Sequence, residues 1–315
     1  MSFIIHFSHL QFVLVGLILF ESFCPGQEPR QETLERIKQL PGLSANANQV
    51  IPLNQQNPDV GELELVRKYP KPETLTLSTV QSFFYTDNVF LTETNARSSL
   101  AWNGQIGLNF VPYSTYHWTP RLGIEQYLVR YDRESSQDFE GQVVSLSSRL
   151  DLTEDKAWFW DASLSLTRLN TGRSNLGEFY RQTSFNNSLA WFTRMSPALP
   201  LYFLGAGDIS WRKASPGVFD RLDYGLTFNL IYYPHARVSL QPFFRPAFQL
   251  YTTDTATERN RHDLNLSTGL SAGWTPCRNV SLSGAVSWTR NYSSAAGNNY
   301  AVTVPAISVF ASIGF

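Results

Sequence analysis

Apolar and polar residues alternate with a period of two through most of this 315-residue chain, from residue 73 to the C-terminus. In the stretch 98–112, apolar residues on one face oppose polar or small residues on the other: Leu100, Trp102, Ile106, Leu108 and Phe110 against Asn103, Gln105, Gly107 and Asn109. Successive side chains of a β-strand point to opposite faces of its sheet. The alternation therefore predicts strands that are apolar on one face and polar on the other.

About twelve such segments follow one another, each longer than the 5–6 residues usual in soluble sheets. The last of them alternates over about ten residues, the length that a tilted strand needs to cross a bilayer. The predicted strands are 74–90, 98–112, 117–131, 139–153, 156–169, 178–195, 199–213, 220–233, 236–252, 261–275, 278–291 and 299–315.

The connections between these segments form two alternating classes when they are counted back from Phe315. Tight turns are predicted at 111–114, 153–156, 196–198, 233–235 and 275–278. Four of the five contain a proline, which cannot donate to a strand ladder. The other connections are longer and more polar: 132–138, 170–178, 212–220, 252–260 and 291–299. This parity predicts an even number of strands, with both termini on the periplasmic side of an outer membrane.

The composition agrees with a barrel whose outer face meets lipid. Charged residues make up 16% of the chain and aromatic residues 14%, whereas soluble domains carry about 25% charge. The 25 Lys and Arg balance 26 Asp and Glu, so nucleic acid is not an expected partner. After the N-terminus no apolar run approaches the ~20 residues of a membrane-spanning helix, which excludes a helical membrane protein.

Residues 1–26 are predicted to be a secretory signal peptide, with an apolar core at 12–20. A lipoprotein signal is the alternative, because Cys24 follows this core, although residues 21–23 match such a signal poorly. The chain has two cysteines, too few for a disulfide framework or a multi-cysteine metal site. If Cys24 is removed with the signal, Cys277 remains alone.

Residues 27–72 differ in composition from the rest of the chain. Residues 32–40 can form a short amphipathic helix with Leu34, Ile37 and Leu40 on one face. Residues 46–58 are rich in Asn and Gln and have no periodicity, which is typical of a linker. Two interpretations stay open: a periplasmic extension without a fixed structure, or a segment that folds into the barrel mouth as a plug.

Two short segments resemble a known family. The final alternating residues Val309, Ala311, Ile313 and Phe315 are similar to the terminal strand of bacterial outer-membrane β-barrels. Residues 85–90 (YTDNVF) resemble a Tyr-x-Asp-Asn-Val-Phe segment near the start of many such barrels. The resemblance covers about residues 73–315.

This resemblance implies an all-β fold: a transmembrane antiparallel up-and-down barrel of about twelve strands, after a short N-terminal helix and linker. It places the protein in the bacterial outer membrane, with outer-membrane lipid and lipopolysaccharide as its surroundings. It also implies that the terminal strand is the signal read by the barrel-insertion machinery.

The polar phase of the strands predicts which charged side chains line the lumen. A conducting channel would carry the two signs of charge on separate walls, whereas a closed barrel would pair them across the lumen. Both are possible for about twelve strands, because eight strands fill with side chains and sixteen leave a wide pore. The candidates are Arg121, Glu125, Arg149, Asp161, Asp208, Arg212, Asp223, Arg245 and Asp263.

Catalysis has little support in the sequence. After removal of the signal, the histidines are His117, His235 and His262. No segment has the His-x-Ser-Asn-Gly pattern of outer-membrane phospholipases or a Gly-x-Ser-x-Gly elbow, and no motif for a cofactor or metal is present. The expected function is therefore a passive, porin-like channel for small solutes. A closed structural or recognition barrel and an outer-membrane hydrolase are the alternatives.

Overall fold

Twelve antiparallel strands close into a barrel in the computed structural model, which describes residues 27–39, 73–171, 177–253 and 260–315. Each strand pairs with the next in the sequence, and the last pairs with the first. The strands are β1 (Leu75–Thr86), β2 (Ser99–Phe110), β3 (Trp118–Tyr131), β4 (Phe139–Asp151), β5 (Trp158–Thr171), β6 (Glu178–Arg194), β7 (Leu201–Ser215), β8 (Arg221–His235), β9 (Val238–Tyr251), β10 (His262–Cys277), β11 (Val280–Ser293) and β12 (Tyr300–Gly314).

The predicted all-β barrel is confirmed, and its predicted strand limits agree with the structure to within four residues. The predicted signal peptide at 1–26, the linker at 46–58 and the central parts of the loops 170–178 and 252–260 lie outside the described residues.

The two faces of the strands are arranged as in a membrane barrel. On β2, Ile106 is 58% exposed on the outer surface, whereas Asn103 is fully buried inside. The same alternation holds on β8, where Leu226 and Phe228 point outward. An outer surface covered by large apolar side chains is stable next to lipid and unfavourable in water.

The barrel closes along the seam between β1 and β12. The ladder runs from the pair Thr76 and Gly314 to the pair Phe84 and Ala306. Residue 315 extends the contact, because the backbone N–H of Phe315 donates to the carbonyl of Leu75 at 2.8 Å. The resemblance of the terminal strand to a barrel-closing strand therefore corresponds to an observed pairing.

Side chains of the segment 85–90 continue this seam beyond the end of the ladder. The backbone N–H of Thr303 donates to Oδ1 of Asp87 at 2.8 Å. The Nδ2 group of Asn88 donates to the carbonyls of Thr92 at 2.7 Å and Ala301 at 3.1 Å. Asp87 and Asn88 thus satisfy backbone groups that the ladder leaves unpaired, which gives the motif a structural role.

Two predicted turns are displaced. Pro234 and Pro276 were expected within turns, but they lie inside β8 and β10, and the turns are residues 236–237 and 278–279. The ladder register shifts beside each proline. A proline lacks the N–H that a regular ladder needs, so an irregular pairing lets the strand continue past it.

The connections define two ends of the barrel. We call the end with residues 236–237 and 278–279 the turn end, and the opposite end, with residues 87–98, the loop end. The predicted difference in length between the connections at the two ends is only partly observed. Residues 111–117 at the turn end are as numerous as residues 132–138 at the loop end.

Helix α1 (Gln27–Gln39) begins five residues before the predicted helix and lies within the loop end of the barrel. Leu34 and Ile37 are each 1% exposed and belong to the apolar core there. Pro29 in its first turn is compatible with a helix start, where a backbone N–H has no helical partner. None of the helical segments in the described ranges has the length and apolar character needed to cross a membrane.

A matched pair of substitutions on β8 tests the orientation of the strands. We expect Phe228→Arg to lower the free energy of unfolding by about 2–4 kcal/mol, because it places a cation against lipid near the bilayer midplane. Its neighbour Asn229 faces the lumen, so Asn229→Arg should cost much less. Urea unfolding in phospholipid vesicles measures both values. Equal losses would contradict the assigned faces.

A second substitution tests the seam. Asn88→Ala removes the donor of two partly buried hydrogen bonds to backbone carbonyls and should cost about 1–3 kcal/mol of unfolding free energy. Thr94→Ala, in the exposed part of the same loop, is the control and should be neutral. The fraction of barrel that survives heating, read from its faster migration on a gel before boiling, reports the difference. A heat resistance of Asn88→Ala equal to that of the control would argue against the role of Asn88.

Candidate functional site

All nine predicted lumen residues lie on the inward phase of their strands. Glu125 on β3 is buried between exposed Ile124 and Gln126, and Arg121 shares its phase. The Tyr127 hydroxyl donates to the carboxylate of Glu125. Near the loop end, Asp263 on β10 accepts from Nη2 of Arg261 at 2.7 Å.

The remaining candidates form ion pairs along the wall of the barrel. Arg149 on β4 binds Asp161 on β5 through two hydrogen bonds of 2.9 and 2.8 Å. Arg245 on β9 lies 3.3 Å from Asp208 on β7. For these four residues, neither of the two alternatives is observed, since the two signs of charge neither occupy separate walls nor pair across the lumen. Arg149 and Asp161 lie on neighbouring strands, and Arg245 and Asp208 lie on strands separated by β8.

A glycine makes the second of these pairs possible. Strand β8 runs between β7 and β9, and its Gly225 lies beneath the pair of Asp208 and Arg245. A Cβ at residue 225 would lie 2.6 Å from Oδ1 of Asp208 and 2.9 Å from Nη2 of Arg245. The missing side chain leaves the space through which the ion pair crosses the strand.

Three charged residues form a cluster on the inner wall near the loop end. Arg212 on β7 and Arg221 on β8 both bind Asp223: Nε of Arg212 lies 2.7 Å and Nε of Arg221 lies 3.2 Å from its carboxylate. All three side chains are at most 6% exposed. Taken alone, this part of the wall has a formal charge of +1.

Helix α1 supplies two further carboxylates to this cluster. Nη1 of Arg221 donates to Glu32 at 2.6 Å, and Nη1 of Arg212 lies 3.1 Å from Glu35. Burial alone raises the pKa of Glu35, but Arg212, with Lys38 and Arg221, outweighs burial and lowers the pKa from 4.5 to about 2. Burial and Arg221 oppose each other in the same way at Glu32, and the result is again a lowered pKa. Both carboxylates are thus ionised at neutral pH.

The opposite face of α1 packs on an apolar part of the wall. Leu34 and Ile37 share one buried cluster with Tyr127, Phe139 and Leu169 from β3, β4 and β5. Gly141 on β4 lies beneath this cluster: a Cβ there would be 3.2 Å from Cδ2 of Leu169, a tight contact, and 3.6 Å from Cδ2 of Leu34, an ordinary one. Thr33 adds a polar contact of 3.3 Å to the hydroxyl of Tyr131.

A cavity of about 240 Å³ remains between α1 and the polar part of the wall. Its lining comes from α1 and from β7 to β11 and is mostly charged or amide-bearing, with Phe243 as its largest apolar member. The side chains that face it include Arg212, Arg221, Asp223, Asn229, Arg245, Gln249 and Asn265. The loop end of the lumen thus holds the helix on one side and a polar cavity on the other.

The turn end has a different inner surface. Phe159, Phe192, Tyr202 and Ile231 form an apolar cluster on the inner faces of β5 to β8. The rings of Phe192 and Tyr202 are stacked with centroids 5.5 Å apart. The polarity of the lumen therefore changes along its length.

Sequence reasoning missed four charged residues of the site: Arg221 on β8, and Glu32, Glu35 and Arg36 on α1. Arg221 has the same phase as the candidate Asp223, two residues along the strand, so the alternation already indicated its inward direction. Glu32 and Glu35 follow the helical spacing i, i+3 and lie on one side of α1. Nothing in the sequence indicated that this side would meet the two arginines.

The three histidines lie apart from this site. His117 and His235 are exposed near the turn end. The ring of His262 is tilted against Phe248 with centroids 6.1 Å apart, and its Nδ1 lies 3.2 Å from the carbonyl oxygen of Asn260. Across the described residues, no three His, Cys, Asp or Glu side chains are arranged to hold a metal ion.

Comparison with solved structures identifies similar folds. An outer-membrane channel from Pseudomonas putida F1 has a TM-score of 0.55 and 15% identity, over 80% of this chain and 100% of that chain. The β domain of a Bordetella autotransporter and a KdgM porin have TM-scores of 0.43 and 0.40 at 11% and 10% identity, each over 75% of this chain and 99% of the other.

No protein-family model matches the sequence, and no curated protein matches it. The likeness to the Pseudomonas channel and the closed ring of twelve antiparallel strands lead to the same conclusion. This chain has the fold of the bacterial outer-membrane β-barrel channels.

Proposed function

We propose that this protein is a passive channel for small polar solutes in the bacterial outer membrane, with both ends of the barrel chain on the periplasmic side. The observation that carries the proposal is the cavity of about 240 Å³ between helix α1 and the polar wall. A barrel that serves only as a closed scaffold gains nothing from a polar space of this kind, because buried polar groups without partners cost free energy.

The arrangement of charges supports the same proposal. The pairs Arg149–Asp161 and Asp208–Arg245 lie along the wall, so they do not bridge the lumen. Each pair leaves the central space free and presents a polar surface to it. Among the solved structures with a similar fold is one described as an outer-membrane channel.

The terminal strand supports the location in the membrane. Val309, Ile313 and Phe315 are exposed on the outer surface, and Ala311 shares their phase. After assembly, these side chains would contact lipid and lipopolysaccharide. We propose that the insertion machinery recognises them before assembly. The histidine geometry gives no reason to prefer a hydrolase over a passive barrel.

Ion selectivity tests the channel directly. Arg245→Gln removes a cation beside the cavity and leaves Asp208 behind, so the channel should become more selective for cations. At about 10 Å in water one unit charge is worth about 0.4 kcal/mol, which corresponds to roughly a twofold change in permeability ratio. The reversal potential of the refolded protein in a planar bilayer, measured across a salt gradient, gives this ratio.

A matched variant tests whether the change in selectivity is specific to charges in the lumen. Arg168→Gln removes the same charge from an exposed side chain on the outer phase of β5. It should leave the reversal potential unchanged. Absence of conductance steps in the wild type and in both variants would contradict the channel and favour a closed recognition barrel.

A further inference from the structure

Two arginines face each other directly in the ladder between β7 and β8. Arg212 and Arg221 are register partners, and they are 5% and 2% exposed. Partners across a strand pair have Cβ atoms about 4.5–5.5 Å apart, and like charges in such positions repel each other. This pair is therefore stable only where anions are held between or beside the two guanidinium groups.

The wall itself provides one anion for the two cations. Asp223 lies between them and contacts Nε of each arginine. The other two anions, Glu32 and Glu35, come from α1, which is joined to the wall by side-chain contacts rather than by the ladder. The helix thus offsets the excess positive charge of the wall, and with Lys38, which lies 3.5 Å from Glu35, the cluster has no net formal charge.

The ion pairs of the two arginines are not ideally directed. Nε and Nη1 of Arg212 and Nε of Arg221 are buried and make no hydrogen bond of acceptable geometry within the described residues, although the carboxylates are close. Hydrogen bonds weaken as their angles depart from linear, so an anion with better-directed oxygens would bind these groups more tightly.

The site is accessible from the cavity. Both arginines and both glutamates belong to its lining. A solute in this space reaches the same guanidinium groups that the helix contacts, so solute and helix would compete for them.

We propose that Arg212 and Arg221 form a binding site for a small solute with two carboxylate groups, which Glu32 and Glu35 occupy when no solute is bound. The helix offers two carboxylates three residues apart, a spacing of about 5–6 Å between Cβ atoms. Each carboxylate contacts a different arginine. A solute that replaces both contacts needs two acid groups at a similar separation, and planar carboxylates suit guanidinium geometry. The proposal depends on the channel only in that the solute must enter the lumen.

Isothermal titration calorimetry of the full chain, refolded in detergent, tests the site with glutarate as the probe. The variant Glu32→Gln/Glu35→Gln removes the competing charges, so we expect it to bind glutarate roughly tenfold or more tightly than the wild type. This factor corresponds to the loss of one charge-assisted contact. Butyrate, which has one carboxylate, should bind more weakly than glutarate to the same variant.

Two further variants provide controls. Glu125→Gln removes another buried carboxylate of the lumen, one that is bonded to Tyr127, and should bind glutarate as the wild type does. Adding Arg212→Gln to the double variant should abolish the gain, and Arg212→Lys should restore part of it. Faster gel migration before boiling verifies that each variant has formed a barrel.

Specific results would overturn the proposal. These are equal glutarate affinity of the wild type and the double variant, unchanged affinity after Arg212→Gln, equal binding of butyrate, or no binding in any variant. Inorganic phosphate bound in preference to glutarate would also overturn it, since phosphate offers a single charged centre. Glutarate binding without bilayer conductance would instead contradict the channel and leave the site in place.

Discussion

The closed hydrogen-bond ladder is the constraint on which the rest of this structure depends. A bilayer offers no partners to backbone N–H and C=O groups, so strands can cross it only when every edge is paired. The pairing of β12 with β1 meets this requirement. Where the ladder ends, the side chains of Asp87 and Asn88 bind backbone groups of β12. Closure also fixes the direction of every side chain, since inward and outward positions alternate along each strand.

Closure in lipid gives the barrel a polar interior in place of an apolar core. Charges on the inner wall are stabilised by opposite charges, as at Arg149 and Asp161 on the neighbouring strands β4 and β5. The pair Asp208–Arg245 spans two strands, which is possible only because Gly225 lies between them. Each of these two pairs has no net formal charge. The cluster of Arg212, Arg221 and Asp223, in contrast, has a formal charge of +1.

Helix α1 matches this uneven interior on two sides. Its apolar face covers the wall formed by β3 to β5, where Leu34 packs above Gly141. Its acidic side meets the two arginines of β7 and β8. The helix is short, and a segment of this length is marginal in water without tertiary contacts. Contacts with the wall therefore fix the position of the helix. The cavity is the part of the lumen that the helix does not fill.

The sequence alone predicted about twelve strands and the phase of the side chains on those that alternate cleanly, because a period of two is a local property of the chain. The closing role of the last strand was implied by its resemblance to the terminal strand of outer-membrane barrels. The sequence also placed all nine lumen candidates on the inward phase. It did not determine which charges meet, since that depends on the register between strands. The roles of Glu32 and Glu35 were equally hidden, because they contact residues about 180 positions away. Only the closed barrel brings the two glutamates to Arg212 and Arg221, and so decides what the lumen can bind.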